Sequence, residues 1–151
     1  MTTYTELKAQ IDALQRKAEE VRKKFFPEVK INYVQPFYNR EIYIDCLAES
    51  IREKLPENFD ALQFSYHGVP ERHIYKTDPT NTCNLNDCCS RDENPSHQFC
   101  YRHQCFKVTE QVIKKLNLPK EKVMVTFQSR LGNDKWMEPY TDATLEGLGK
   151  K

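Results

Sequence analysis

The sequence lacks any apolar run near the roughly 18 residues that a membrane-spanning helix needs, so we expect no transmembrane segment. Its beginning, MTTYTELKAQ, lacks the apolar stretch of a secretory signal, which argues against export. The formal net charge is only +1, which gives no electrostatic reason to expect a nucleic-acid partner. We therefore expect a protein of the reducing cytoplasm with one modest core.

No C-x2-C pair occurs, which removes the usual spacing of a zinc ribbon, yet the chain contains six cysteines. Disulfides are disfavoured in the cytosol, so clustered thiols there more often bind a metal or an iron–sulfur cluster. A reactive, thiol-rich loop without metal is the alternative. Cys46 stands alone in a helical pattern and is expected to be a small buried residue. The clustered cysteines are Cys83, Cys88, Cys89, Cys100 and Cys105.

An N-terminal helix is predicted over residues 3–25, where apolar residues recur at alternating intervals of four and three. Thr3 or Thr5 can cap its start, and Pro27 ends it. This apolar seam packs on a sheet or pairs with a second copy of the chain, and its length does not decide between the two. The seam consists of Leu7, Ile11, Leu14, Ala18, Val21 and Phe25.

Strands and helices alternate after Pro27, which predicts an α/β fold with a partial parallel sheet and flanking helices. The chain is thus divided into a long N-terminal helix, residues 1–26, and an α/β region, residues 27–151. Asn39 is expected to cap the second helix, and the last helix should begin near Thr141 or Asp142. Strands are expected over 29–34, 60–66 and 122–127, and helices over 40–55 and 101–116.

Two polar segments, SYHG at residues 65–68 and QSRLG at residues 128–132, each follow a predicted strand directly. Open parallel sheets bind ligands at the carboxyl ends of their strands, so both segments should lie on one edge. His67 there is either a core residue or a ligand-facing one. Gly68 permits a sharp turn, and an imidazole accepts a proton near neutral pH or binds a borderline metal, so we favour the ligand-facing interpretation.

The cysteine-rich loop, residues 76–105, begins with a polar stretch over 76–97 that is rich in Pro, Asn and Asp and has few large apolar residues. Such a stretch cannot hold itself together by an apolar core, and loops of this length are functional or disordered. We expect a bound metal or cluster to order it.

Three segments of the chain resemble ferrochelatases, the family that inserts ferrous iron into protoporphyrin IX in haem biosynthesis. The segments are FDALQFSYHGVPERHIYKTDP, CYRHQC and VTFQSRLGNDKWMEPYTDATLEGLGK, and the similarity spans about residues 27–150. The resemblance implies a chelatase-like fold, a porphyrin such as protoporphyrin IX as partner and Fe²⁺ as substrate. It also implies that His67 lies in the porphyrin cleft and binds the metal, accepts pyrrole protons, or does both.

The same resemblance implies a set of porphyrin contacts around His67. Arg130 suits a propionate, with an ordinary surface salt bridge as the alternative. Trp136 lines or supports the cleft, with a core position as the alternative, and Thr141 and Asp142 are expected to be helix caps rather than catalytic residues. The implied porphyrin contacts are Ser65, Tyr66, Gln128, Ser129, Arg130 and Trp136.

Some ferrochelatases carry a [2Fe–2S] cluster on cysteines inside the chain, and the resemblance implies one here. Four thiolates are required and five candidates are present. Because Cys88 and Cys89 are adjacent, we expect one of them to be the spare. Structural zinc is the alternative, with His97 or His103 as a fourth ligand. The candidate metal ligands are His67, Cys83, Cys88, Cys89, Cys100 and Cys105.

Ferrochelatases are longer than this chain and enclose the cleft between two similar lobes, so we expect a ferrochelatase fragment with little or no activity alone. The family's acidic residue opposite the histidine has no counterpart here. A non-enzymatic metal or [2Fe–2S] module, dimerised through residues 3–25, is the alternative function. The first 23 residues also resemble the oligomerisation helix of histone-like nucleoid-structuring proteins, but the DNA-contacting loop of that family is absent, so no nucleic acid is expected.

Overall fold

The structure is a computed structural model that describes residues 3–28, 32 and 34–150. It divides into two compact units, Met1–Gln35 and Pro36–Lys151. The strand expected over 29–34 falls mainly outside the described residues. Among the residues that are described, no helix has both the length and the apolar character needed to cross a membrane.

The first unit contains α1, Tyr4–Phe25, which confirms the predicted helix. The Thr3 hydroxyl accepts the Glu6 N–H, and the Glu6 carboxylate accepts the Thr3 N–H at 2.7 Å. This reciprocal capping box satisfies two amide donors that a helix start otherwise leaves unpaired. Where its side chains are described, the apolar seam is open to solvent, since Ile11 is 45% exposed and Leu14 is 66% exposed.

The second unit contains a two-stranded parallel sheet, which confirms the α/β class and the parallel pairing. The register runs from Leu62 opposite Val123 to His67 opposite Gln128, so the two strands end side by side. Short 3₁₀ turns, Cys88–Ser90 and Lys120–Lys122, lie within the connections. The elements in chain order are α2 Glu41–Arg52, β1 Leu62–His67, α3 Glu71–Thr77, α4 Tyr101–Leu116, β2 Val123–Gln128 and α5 Thr141–Leu148.

The core lies between one face of this sheet and α4. Val112 of α4 is completely buried and packs with Val108 and with Ile44 of α2, while Phe64 of β1 closes the cluster. Burying one such aliphatic side chain stabilises the fold by about 1.5–3 kcal/mol. Helix α4 ends where Asn117 adopts φ 52°, a left-handed conformation that asparagine tolerates well.

Two predicted helix caps are wrong. The N-cap of α2 is Arg40 rather than Asn39, and it makes no side-chain cap bond. The N-cap of α5 is Tyr140, which places Thr141 and Asp142 in the first turn of the helix. Thr141 is engaged instead in hydrogen bonds to the sheet, and Asp142 forms an ion pair with the preceding loop.

The prediction that Cys46 is buried is also wrong, because its side chain is exposed. The buried face of α2 carries Ile44 and Ala48, which are four residues apart and therefore lie one above the other. Cys46 is two residues from each of them, which places it on the opposite side of the helix.

Candidate functional site

His67 ends β1 with its side chain exposed, at the carboxyl edge of the sheet. Its strand partner is Gln128, the last residue of β2, so the two predicted polar segments do meet at one edge. The Tyr101 hydroxyl donates to the carbonyl of His67 at 3.0 Å and anchors this strand end to α4. The imidazole therefore projects from a fixed backbone toward open space.

One ring nitrogen of His67 is already engaged. Nδ1 lies 2.6 Å from the carbonyl oxygen of Gly68, and a carbonyl can only accept a hydrogen bond. Nδ1 must therefore carry the proton in the neutral ring, which leaves the lone pair on Nε2. A histidine held by an Nδ1–H···O=C bond is the usual arrangement for an imidazole that binds a metal or accepts a proton through Nε2.

The turn after His67 requires glycine. The amide of Gly68 donates to the carbonyl of Gln128 at 2.8 Å, which extends the pairing one residue past the strands. A Cβ added at Gly68 would lie 2.8 Å from that same oxygen and 3.5 Å from Trp136 Cε3. The close approach of the two backbones is therefore possible only without a side chain at this position.

Replacement of Gly68 by alanine is expected to lower the free energy of unfolding by about 1–3 kcal/mol, because the backbone of Gln128 must move to admit the methyl group. Gly147→Ala is the matched control, since a Cβ there meets nothing within 4 Å and alanine favours the helix. Urea unfolding followed by circular dichroism compares the two variants. Equal stabilities would contradict the close packing assigned to Gly68.

The segment with Trp136 is paired to the segment after His67 by backbone hydrogen bonds. Glu71 N donates to Lys135 O at 2.8 Å, and Met137 N donates to Val69 O at 3.1 Å. Trp136 is half-buried, and its indole N–H donates to Leu131 O at 2.9 Å. The indole thus supports the turn at Gly68 while part of it remains accessible at the edge.

An ion pair joins the same two segments at the surface. The Arg72 guanidinium binds the Asp134 carboxylate through two nitrogens, each at 3.1 Å. The hydrogen bond from Arg72 lowers the pKa of Asp134. Both side chains are well exposed, so solvent screens the pair, and it serves chiefly to fix the loop geometry.

A network of hydroxyl groups covers the sheet face on which His67 lies. Ser65 shares a hydrogen bond of 3.0 Å with the Thr141 hydroxyl, and Thr141 donates to Thr126 Oγ1 at 3.0 Å. Gln63 Nε2 donates to the same Thr126 oxygen at 2.7 Å. Ser65 is thus on the same face as His67, and its hydroxyl is held by α5.

Tyr66 points the other way. Its hydroxyl bonds Thr109 Oγ1 of α4 at 2.8 Å, and burial raises the pKa of Tyr66 to about 12. Alternate residues of a strand face opposite sides of the sheet, so His67 and Tyr66 cannot share one face. The structure does not bring Tyr66 together with the other predicted porphyrin contacts, and its role there stays a prediction.

Residues 128–130, which begin the QSRLG segment, line a groove of about 410 Å³. Gln128 in this groove is the strand partner of His67. Ser129 adopts φ 70°, a left-handed conformation that turns the chain sharply at the end of β2. The Arg130 guanidinium forms an ion pair with Asp142 and lies 4.2 Å from the centre of the Tyr140 ring. The surface salt bridge that we considered for Arg130 is therefore present in this structure.

The cysteine-rich loop is ordered by side chains that accept backbone N–H groups. The Asp78 carboxylate is only 6% exposed and accepts the amides of Thr80, Thr82 and Cys83 at 2.8–2.9 Å. Asn84 Oδ1 accepts three further amides in the same manner. The loop therefore has an internal framework of hydrogen bonds, which polar sequence alone did not predict.

Four thiols lie together inside this framework. Cys83 Sγ and Cys88 Sγ are 3.7 Å apart, and Cys89 lies within hydrogen-bonding reach of Cys88 and Cys100. Both adjacent cysteines, Cys88 and Cys89, therefore have another thiol nearby, and which of the five cysteines is the spare stays a prediction. Successive side chains of a 3₁₀ turn point about 120° apart, which lets one thiol face Cys83 and the other Cys100.

Cys100 is the N-cap of α4, and its sulfur accepts the amide of His103 at 3.4 Å. A hydrogen bond from Cys89 together with the amide of His103 outweighs the effect of burial and lowers the pKa of Cys100 to about 6. Cys105 lies apart, against Tyr101, and burial raises its pKa to about 11.

Within the described part of the chain, no three or more His, Cys, Asp or Glu side chains converge tightly enough to hold a single metal ion. The two histidines considered for zinc are engaged with each other, since the rings of His97 and His103 stack with centroids 3.7 Å apart. Burial and the neighbouring His97 lower the pKa of His103 to about 4, so this ring is neutral. His97 Nε2 bonds the carbonyl of Cys88 at 2.7 Å.

Known proteins are similar to this chain over most of its length. The family model described as Ferrochelatase matches residues 3–151, which includes α1. A ferrochelatase of Pseudomonas fluorescens strain Pf0-1 is 44% identical over 125 residues, and one of Stutzerimonas stutzeri strain A1501 is 41% identical over 126. Each alignment covers 82% of this chain and 37% of the relative.

The chain therefore spans about 37% of the length of these curated relatives. The family match includes the strand that ends in His67, the cysteine-rich loop and the segment from Gln128 to Trp136. The similarity that the sequence suggested between α1 and nucleoid-structuring proteins stays a prediction. The extent of the family match shows that this chain belongs to the ferrochelatase family.

Proposed function

We propose that the edge formed by His67 and the segment 128–136 is a wall of the porphyrin cleft of a ferrochelatase. The observation that carries this proposal is the exposed imidazole at the carboxyl end of β1, beside Gln128, with Nδ1 bonded to a carbonyl. The reaction is the insertion of Fe²⁺ into protoporphyrin IX, and both iron and porphyrin are substrates.

Insertion removes two pyrrole N–H protons and replaces the water around a ferrous ion. Nε2 of His67 can accept a pyrrole proton or bind Fe²⁺ weakly enough to release it to the porphyrin. The backbone carbonyl of Gly68 then stabilises the protonated ring through Nδ1 and keeps its plane fixed. This one residue can serve either step without a change in its hydrogen bonding.

The groove beside the strand end can orient the porphyrin. A guanidinium matches a carboxylate in charge and shape, so Arg130 can exchange Asp142 for a propionate. Trp136 offers an aromatic surface at the same edge. Binding of the peripheral groups supplies free energy that can bend the macrocycle and expose its nitrogen lone pairs at His67.

We expect little or no metal insertion by the 151-residue chain, because the described residues form an open edge rather than an enclosed cleft. Anaerobic incubation with Fe²⁺ and protoporphyrin IX, followed by the change in porphyrin absorption, measures the rate. His67→Ala should lower any rate above the uncatalysed background by about 10²-fold or more. His73→Ala is the control, since His73 is exposed on α3 nearby. Equal rates for both variants would contradict the role of His67.

The cysteine loop suits a [2Fe–2S] cluster better than a zinc ion. Two thiolates on one tetrahedral metal lie about 3.7 Å apart for metal–sulfur bonds near 2.3 Å, which is the separation of Cys83 and Cys88. Cys89 and Cys100 form the second pair. A [2Fe–2S] centre takes two thiolates on each of its two irons, which two pairs of thiols can supply. A single metal ion needs all of its ligands to converge on one point, and the described residues contain no such group.

We infer that Cys83, Cys88, Cys89 and Cys100 hold the cluster, with Cys105 outside it. When bound, the cluster supplies a covalent crosslink that orders the loop. The residues around it keep the thiols in place: Asp78 and Asn84 fix the backbone, and the Arg102 guanidinium donates to Cys89 Sγ at 3.4 Å. The hydrogen bond with Cys100 and burial raise the pKa of Cys89, and the positive charge of Arg102 opposes that rise.

Dimerisation through residues 3–25 stays a prediction, as does the alternative of a non-enzymatic cluster module. The open seam on α1, with Leu14 at 66% exposure, allows a second helix to pack there. One flanking pair opposes it, because Lys17 of one helix would face Arg22 of the other in a parallel pair of identical helices. Any self-association should therefore increase with salt and vanish in Leu14→Asp.

A further inference from the structure

We propose that the metal-free chain forms two disulfide bonds in its loop, Cys83–Cys88 and Cys89–Cys100, by exchange with a small disulfide. Cys105 stays reduced. This inference concerns the state without bound metal and does not depend on porphyrin binding.

The first pair is set by geometry. Cys83 Sγ and Cys88 Sγ are 3.7 Å apart, and a disulfide is about 2.05 Å long, so the sulfurs must approach by less than 2 Å. Rotation about the Cα–Cβ bonds supplies a displacement of this size. A bond between the adjacent Cys88 and Cys89 would instead close a very small ring and strain the peptide between them.

The second pair is set by contact and by access. Cys89 packs against the buried cluster that contains Cys100, the two thiols shift each other's pKa, and Cys100 is only 3% exposed. Cys89 itself is half-buried and lines a cavity of about 520 Å³ together with Ser90 and Arg102. A small disulfide can therefore reach Cys89 first, and the guanidinium of Arg102 attracts carboxylates such as those of glutathione disulfide.

The exchange is balanced as two successive displacements for each protein disulfide. The Cys89 sulfur attacks one sulfur of the oxidant, which breaks the S–S bond, forms a mixed disulfide and releases one thiol that takes the proton of Cys89. Cys100 then attacks the Cys89 sulfur, forms the protein disulfide and releases the second thiol with the proton of Cys100. The protein loses two electrons and two protons, and the small disulfide is reduced to two thiols.

Once the Cys89–Cys100 bond has formed, the same steps at Cys83 and Cys88 consume a second molecule of oxidant. Cys105 is excluded for a structural reason. It is 3% exposed, lies on α4 against Tyr101 and belongs to the core beside Phe127. The side-chain hydrogen-bond partner of Cys105 is Tyr101 rather than another thiol.

The test uses the full chain with Cys46→Ser, which removes the exposed thiol on α2. The protein is stripped of metal with a chelator under reductant, exchanged anaerobically into glutathione disulfide, alkylated and digested with trypsin. We expect the intact mass to show the loss of four hydrogen atoms. Residues 77–91 should be joined to residues 92–102, and the peptide 103–107 that contains Cys105 should be alkylated. Fragment ions should assign the bonds as 83–88 and 89–100.

Cys100→Ser in the same background separates this route from random oxidation. Without its partner, Cys89 should retain one glutathione, while the Cys83–Cys88 bond still forms. The proposal is overturned if all loop thiols remain alkylated, if Cys105 is crosslinked, or if bonds form between chains. Oxidation in 8 M urea (a concentration chosen to unfold the chain) is the control and should give mixed pairings that include Cys105.

Discussion

Replacement of Asp78 by alanine is expected to lower the free energy of unfolding by roughly 3 kcal/mol, because the buried amide of Cys83 and the amides of Thr80 and Thr82 lose their acceptor. The carboxylate is 6% exposed and accepts three backbone amides of the cysteine loop as well as the Thr80 hydroxyl. Once it is removed, the start of the loop must unfold or leave those amides unpaired. Urea unfolding followed by circular dichroism measures the change.

Asp134→Ala is the matched control, since Asp134 is an exposed carboxylate in a surface ion pair that solvent screens, and its replacement should change the free energy of unfolding little. A loss in Asp78→Ala no larger than that of the control would contradict the framework assigned to Asp78. Burial by itself raises the pKa of Asp78, but the hydrogen bonds from Thr80, Cys83 and Thr82 outweigh it and lower the pKa.

This pKa shift predicts the direction of the pH dependence. Because the folded pKa of Asp78 is below the unfolded one, its contribution is complete above the unfolded pKa and is lost as the pH falls through the folded pKa. Acid should therefore destabilise the parent chain more than Asp78→Asn, which has no charge to lose. A parallel decline of both stabilities in acid would contradict the assignment.

Replacement of Cys100 by serine is expected to remove the visible absorption of a [2Fe–2S] centre, whereas Cys105→Ser should keep it. Cys100 pairs with Cys89 at the start of α4, while Cys105 faces Tyr101 in the core. Loss of one of four thiolates leaves an iron with an incomplete set of ligands. Anaerobic purification, with absorption spectra and iron and sulfide analysis, compares the two variants.

Two results would contradict this ligand set. A colourless parent protein that contains one zinc per chain would show that the thiols form a structural zinc site and not an iron–sulfur cluster. Loss of colour in Cys105→Ser with retention in Cys89→Ser would exchange the roles of the two cysteines. Cys46→Ser serves as the neutral control, because Cys46 lies exposed on α2.

Periodicity predicted the long helices well, but not the short one. The apolar spacing of α1 and α4 is decided by the sequence within each helix, and both appear at the expected residues. Helix α3 is short and was not predicted, because its support comes from a distance: Ile74 is 2% exposed in the core, and Glu71 N donates to Lys135 O. Local sequence carries little signal for such contacts.

The site was predictable where a rule of sheet geometry applied. The rule that ligands bind at the carboxyl ends of parallel strands placed His67 beside Gln128, and the structure has them as partners. Side chains alternate between the two faces of a strand, so this rule alone predicts that Tyr66 and His67 face opposite sides of the sheet. Tyr66 was nevertheless expected in the porphyrin cleft because it stands next to His67 in the SYHG motif. The thiol pairing could not be predicted, because it depends on the turns that Asp78 and Asn84 impose on the loop.

The central claim is that the imidazole of His67 faces a porphyrin at the edge of the sheet. A fluorescence titration of protoporphyrin IX with the chain, with His67→Ala and with His73→Ala tests it most directly. We expect saturable binding by the chain and by His73→Ala, and binding weakened about tenfold or more by His67→Ala, equivalent to about 1.4 kcal/mol. Equal affinity of all three proteins, or no saturable binding by the chain, would contradict the account.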